Sequence, residues 1–91
     1  MSVADRIRDT LATLQPETIE ISDDSALHAG HAGARSGGGH FSLHIVSDAF
    51  RGKNTVARHR MINAALGEMM KGEIHALAIR AQTAEEAKQL T

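Results

Sequence analysis

Three of the chain's six histidines fall in one glycine-rich stretch, and there is no cysteine anywhere in its 91 residues. From Ser25 to Phe41 the sequence reads SALHAGHAGARSGGGHF, which carries His28, His31 and His40. Glycine at this density suits neither a helix nor a paired strand, so the stretch reads as a long loop that displays imidazoles. Loops of this length inside a small domain usually bind something or take no fixed form. Neutral imidazole ligates iron, zinc or copper, and the glycines would let His28 or His31 swing onto a metal without backbone strain. A solvated loop whose histidines bind nothing fits the same residues, and an isolated His-x-x-His does not separate the two readings.

The other histidines sit in periodic segments. His75 in GEIHALAIRA shares its alternation with Leu77 and Ile79, which on pattern alone favours a partly buried, hydrogen-bonded ring. A strand also holds a side chain rigidly, as a metal ligand requires, so the two roles are compatible. His40 and His44 alternate with Phe41, Leu43 and Ile45 and fall on the non-core side of their strand, while His59 lies in the helical ARHRM at a solvated or capping position. None of these three is assigned a ligand role.

Composition narrows the field. Ninety-one residues make one domain, spanning 1–91, with an aliphatic core, since there are two phenylalanines and no tryptophan or tyrosine. The formal charge of −1 gives no whole-domain attraction to nucleic acid or an anionic membrane. Without cysteine there is no disulfide framework, thiol nucleophile or all-cysteine metal site. There is no P-loop and no nucleophile elbow, and Gly37 to Gly39 lead into a strand instead of the helix start a phosphate site exploits. These features point away from an enzyme. With no apolar run long enough to span a bilayer and no secretory leader pattern, a cytoplasmic location is expected.

The elements that must position the histidines follow from periodicity. Ser2 and Asp5 form a capping box for a first helix through Val3, Ile7, Leu11 and Leu14, which Pro16 ends. TIEIS and HFSLHIVSD alternate as two antiparallel strands on either side of the loop. The segment AFRGKN turns at Gly52; Asn54 then caps a helix with Val56, Met61, Ile62, Ala65, Leu66 and Met69 on one broad face, stopped at Gly72. EIHALAIRA is a third strand, apolar enough to have both faces covered, and its helical crossover makes it parallel to the second. Thr83 and Glu86 cap a last short helix through Ala87 and Leu90. The sum is an α+β domain, α-β-β-α-β-α, with a three-stranded mixed sheet covered on one face by helices.

Arg51, Lys53, Arg58 and Arg60 occur with no acid between Phe50 and Gly67. Such a run is usually a solvated face; as a binding surface it would meet DNA phosphates or an acidic partner. Against nucleic acid stand the lack of a GXXG loop between the helices and of aromatic stacking residues.

The segments DDSALHAGH, HFSLHIVSDAFRGK, VARHRMINAAL and GEIHALAIRAQT, in this order and spacing, resemble the BolA family over nearly the whole chain from Ile7 to Glu86. The resemblance implies a class II KH-like fold and a partnership with monothiol glutaredoxins in handling [2Fe–2S] clusters, with transcriptional regulation in some members. It implies that a cluster shared with the glutaredoxin and its glutathione takes its ligands on this side from His75 and, as in some members, from the long loop at His28, which follows the acidic pair at the Ser25-x-x-His28 spacing. His31, three residues later, departs from the simplest pattern and competes for the same iron, and the ARSGGG extension alters the loop's length. The isolated chain is then expected to be a monomer without a stable cluster of its own.

Overall fold

The computed structural model describes residues 2–25 and 39–89. Helix α1 (Val3–Leu11) starts from a reciprocal cap in which the Ser2 hydroxyl accepts from the Asp5 N–H and the Asp5 carboxylate accepts from the Ser2 N–H. It buries Ile7 and Leu11 and runs into a 3₁₀ turn, Ala12–Leu14. Strand β1 (Thr18–Asp23) pairs antiparallel with β2 (Gly39–Val46), and β3 (Ile74–Gln82) lies parallel to β2 on its other side, giving the order β1-β2-β3. Between β2 and β3 come a 3₁₀ turn, Asp48–Phe50, and helix α2 (Thr55–Leu66), and the described chain ends in α3 (Ala84–Gln89). The expected α+β architecture and strand directions are thus found, and Leu90 lies outside the described residues.

One core joins α1, α2 and the inner face of the sheet through Ile7, Leu11, Phe41, Leu43, Ile45, Phe50, Ile62, Leu66, Met69 and Ile74. Ser47, at the end of β2, is 1% exposed and fully partnered: its hydroxyl donates to the Leu14 carbonyl and accepts from the Ala49 N–H, and its N–H donates to the Gln82 carbonyl. That residue ties three segments at one corner of the sheet. Among the described residues no helix is long and apolar enough to cross a membrane.

The sequence reading is corrected at three places. Helix α2 ends at Leu66 instead of Gly72, because Gly67 takes φ 51°, a left-handed conformation glycine adopts freely, and the chain continues as a 3₁₀ turn to Lys71. Val56, expected on the apolar face, is 57% exposed, since it stands in the first turn of α2, away from the core that Ile62 and Leu66 enter. Strand β3 is covered on one face only: Ala76, Ala78 and Arg80 are exposed on the outer side, and two short alanines account for its apolar look.

Arg58 of α2 is an internal fastener. Its guanidinium donates to both carboxylate oxygens of Glu86, at 2.6 and 3.1 Å, and to the carbonyl oxygens of Lys53 and Ala81, at 2.8 and 3.0 Å, and it lies 5.9 Å from the centre of the Phe50 ring. Glu86 also accepts from the Thr83 N–H at 2.9 Å while the Thr83 hydroxyl accepts from the Glu86 N–H, closing the expected capping box. The Arg58 guanidinium, with help from the Thr83 N–H, holds the Glu86 carboxyl down at about 2.

Both the core and the fastener are open to test. Leu66→Asp, which puts a charge where Leu66 is 3% exposed, should cost about 3–5 kcal/mol in denaturant unfolding; a loss below about 1 kcal/mol would sink the packing assignment. A carboxyl depressed in the folded state contributes stability that is full above its unfolded value, 4.5, and is lost as pH falls towards about 2. Thermal melts of wild type and Glu86→Gln between pH 7 and pH 2 should therefore differ most above that window and converge within it. A pH-independent difference would show that the Arg58 pair is not linked to folding.

Candidate functional site

The site begins with a phase conflict in β3. Ile74 faces the core, yet so do Leu77 and Ile79, which lie on the opposite parity of a period-two strand. The chain resolves this with a register shift: Gly39 pairs with Ile74, but His40 pairs with Ala76, leaving one extra residue on β3. That residue is His75. It is exposed, contrary to the partly buried ring that simple alternation with Leu77 and Ile79 predicts, because the shift breaks the alternation just before Ala76.

The backbone around this irregularity is held from several sides. The Gly39 N–H donates to the Glu73 carbonyl at 2.9 Å, and the Glu73 carboxylate takes a two-pronged contact from Arg6 of α1. Gly39 leaves no room for a side chain, since a Cβ there would stand 2.5 Å from the Phe41 ring and 3.0 Å from the Ser25 hydroxyl. The Ser25 hydroxyl accepts from the His40 N–H at 3.1 Å, and the Asp24 N–H donates to the His40 carbonyl at 2.7 Å. Ser25 and His40, fifteen positions apart, are therefore clamped together. Asp24 in turn accepts from the hydroxyls of Ser22 and Ser42, and Ser25, through its hydroxyl and its N–H, holds the Asp23 carboxyl below the ordinary carboxylate value.

The clamp brings His40 beside His75, with ring centres 5.2 Å apart and planes at 40°. The sequence places His40 correctly on the outer face but carries no local sign that β3 would deliver a second imidazole there. His28 and His31 lie outside the described residues. His44, further along the outer face, is engaged by Glu20 at 3.2 Å and Gln82 at 2.7 Å. It lines a shallow groove of about 510 Å³ with Ser42, Ala78 and Arg80 that reaches neither His40 nor His75. Among the described residues, no group of three or more His, Asp or Glu is arranged to hold a metal ion.

The basic run does not form one surface. Arg51, Lys53 and Arg60 are exposed, with Arg51 3.4 Å from Asp48. The Arg58 side chain is only 12% exposed and already ion-paired with Glu86, so its guanidinium is committed to the fold. His59 lies in a smaller recess with Thr55, Ile79 and Arg80 between α2 and β3.

The sequence profile of the BolA family, described as BolA-like protein, matches residues 11–86. The structure is similar to that of the BolA domain of SufE1 from Arabidopsis thaliana, with a TM-score of 0.81 and 45% identity, covering 94% of this chain and 96% of that one. Among curated proteins the chain is 47% identical over 87 residues to SufE-like protein 1, chloroplastic/mitochondrial, of Arabidopsis thaliana, covering 89% of this chain and 24% of that protein. It is 39% identical over 87 residues to the DNA-binding transcriptional regulator BolA of Escherichia coli (strain K12), covering 94% of this chain and 80% of that protein. The chain spans about half the length, or less, of the first curated relatives it matches. A profile match over most of the chain, a close structural likeness and the α-β-β-α-β-α order together establish that the chain belongs to the BolA family.

Proposed function

We propose that this chain is a non-enzymatic adaptor that, together with a monothiol glutaredoxin and its glutathione, holds a [2Fe–2S] cluster as cargo through His75 and a loop histidine, His28 or His31. The observation that carries this reading is the placement of His75: an exposed imidazole on a fixed backbone, beside Gly39, where β2 follows the stretch of sequence that carries His28 and His31. Imidazole is a fit donor for cluster iron, and one replacing a thiolate lowers the negative charge at the iron and raises the cluster's potential. With no thiol of its own, the chain needs the remaining ligands from a partner. Its own share is to hold one nitrogen donor in place before the partner arrives.

Mixing the chain anaerobically with a cluster-loaded monothiol glutaredoxin should give a heterodimer whose visible absorption and circular dichroism differ from those of the glutaredoxin alone. His75→Ala should abolish the difference; His28→Ala and His31→Ala should each weaken it, and together remove the loop's share. Identical spectra for wild type and His75→Ala would end the ligand assignment.

A second reading is DNA binding, favoured by the name of the Escherichia coli relative. Here the exposed Arg51, Lys53 and Arg60 would meet phosphates, while Arg58 would act only by holding α2 in place. Affinity for a labelled duplex should fall steeply with salt, and each of Arg51→Ala, Lys53→Ala and Arg60→Ala should flatten the log–log slope by about one unit for each phosphate no longer neutralised. No binding at low salt rules this reading out.

A further inference from the structure

We propose that His40 and His75 form a two-imidazole site for a single d-block dication such as Zn²⁺ in the isolated chain, one that takes no ligand from His28, His31 or a partner. Three observations converge on it. The first is distance. With metal–nitrogen bonds of about 2.0–2.1 Å, an ion lies about 3.2 Å from the centre of each ligating imidazole, and a tetrahedral angle between the two bonds sets the ring centres about 5.2 Å apart. The ring centres of His40 and His75 stand 5.2 Å apart.

The second is rigidity. Both histidines sit at the register shift between β2 and β3, and His40 has its N–H fixed by Ser25 and its carbonyl by the Asp24 N–H. Two ligands held by one sheet bind a metal with little loss of freedom, unlike histidines carried on a run of glycines. The third is the donor set. The acidic side chains around this corner already have partners, Glu73 in Arg6, Asp24 in the hydroxyls of Ser22 and Ser42, and Asp23 in Ser25. The corner therefore presents nitrogen, which suits zinc, nickel or copper better than magnesium or calcium.

Two protein ligands leave the remaining positions of a tetrahedral ion to water or to a donor from another molecule. Because His75 is shared, a bound Zn²⁺ and a cluster would exclude one another. That competition rests on the adaptor reading, but the site itself does not.

The test uses the chain without an affinity tag, Zn²⁺ alone and no glutaredoxin, so its failure leaves the spectra of the mixing experiment untouched. Zn²⁺ is titrated in competition with a chromophoric chelator while imidazole resonances are followed by NMR. The expected result is one Zn²⁺ per chain, with the His40 and His75 resonances moving together. His40→Gln and His75→Gln should each weaken binding about tenfold or more, at least the loss typical of removing an outer-shell partner, whereas the His28→Ala, His31→Ala double variant should bind as wild type does. Unchanged affinity in His40→Gln overturns the proposal, as do resonance shifts confined to His28, His31 or His44. The wild-type resonances alone decide the matter should a variant fold poorly.

Discussion

The parallel pairing of β2 with β3, and the extra residue it leaves at its start, is the constraint on which the rest of the structure depends. β2 is the middle strand, and both its neighbours take their register from Phe41, Leu43 and Ile45 facing inward. On β3 the inward set is Ile74, Leu77, Ile79 and Ala81, which no unbroken strand can present on one face. Continuing in phase from Ile74 would drive Arg80 into the core and expose Leu77 and Ile79, at the cost of two partly buried aliphatic side chains. The shift avoids that by taking one residue out of the alternation. A histidine occupies the position released, so the device that saves the core also exposes His75.

Parallel strands also need a crossover, and α2 supplies it with Arg58 as the fastener. A guanidinium so little exposed must be neutralised and its N–H groups satisfied. Here Glu86 supplies the charge and the carbonyl oxygens of Lys53 and Ala81 take further bonds, which link the start of the crossover, the end of β3 and α3. Glu86 caps α3 with the same carboxylate, so that short helix depends on a contact from the middle of the chain. A count of positive charges along 51–60 treats the four cations alike, but one of them is a structural part.

Much of this is legible in the sequence because it rests on local rules. Period-two runs locate β1 and β2 and their inward residues; the Ser2/Asp5, Asn54 and Thr83/Glu86 caps fix the helix starts; the helical crossover fixes the direction of β3. What escapes depends on contacts between distant segments. Nothing within IHALAIR marks a register shift until Gly39 is known to pair with Ile74, so unbroken alternation puts His75 in the wrong phase. Arg58 looks like its neighbours until Glu86, 28 positions away, is brought to it. Gly72 is a sound helix stop on paper, but Gly67 ends α2 first by turning left-handed where the next residues can still bury Met69 in a 3₁₀ turn.

The distribution of acids and hydroxyls decides which side chains the corner at His75 leaves beside its two imidazoles, in a chain with eleven acidic side chains. Two of them, Asp23 and Asp24, stand at and just past the end of β1, where free carboxylates would attract hard cations or pair with imidazolium. Serine hydroxyls occupy them instead: Ser22 and Ser42 on Asp24, Ser25 on Asp23. A hydroxyl satisfies a carboxylate without cancelling its charge, so this end of β1 stays negative while Asp24 holds one serine on each oxygen. Negative charge at this end of the sheet favours the approach of cations. Ser25, which fixes His40, thus also holds Asp23, so one side chain sets both the position of an imidazole and the partner of an acid beside it.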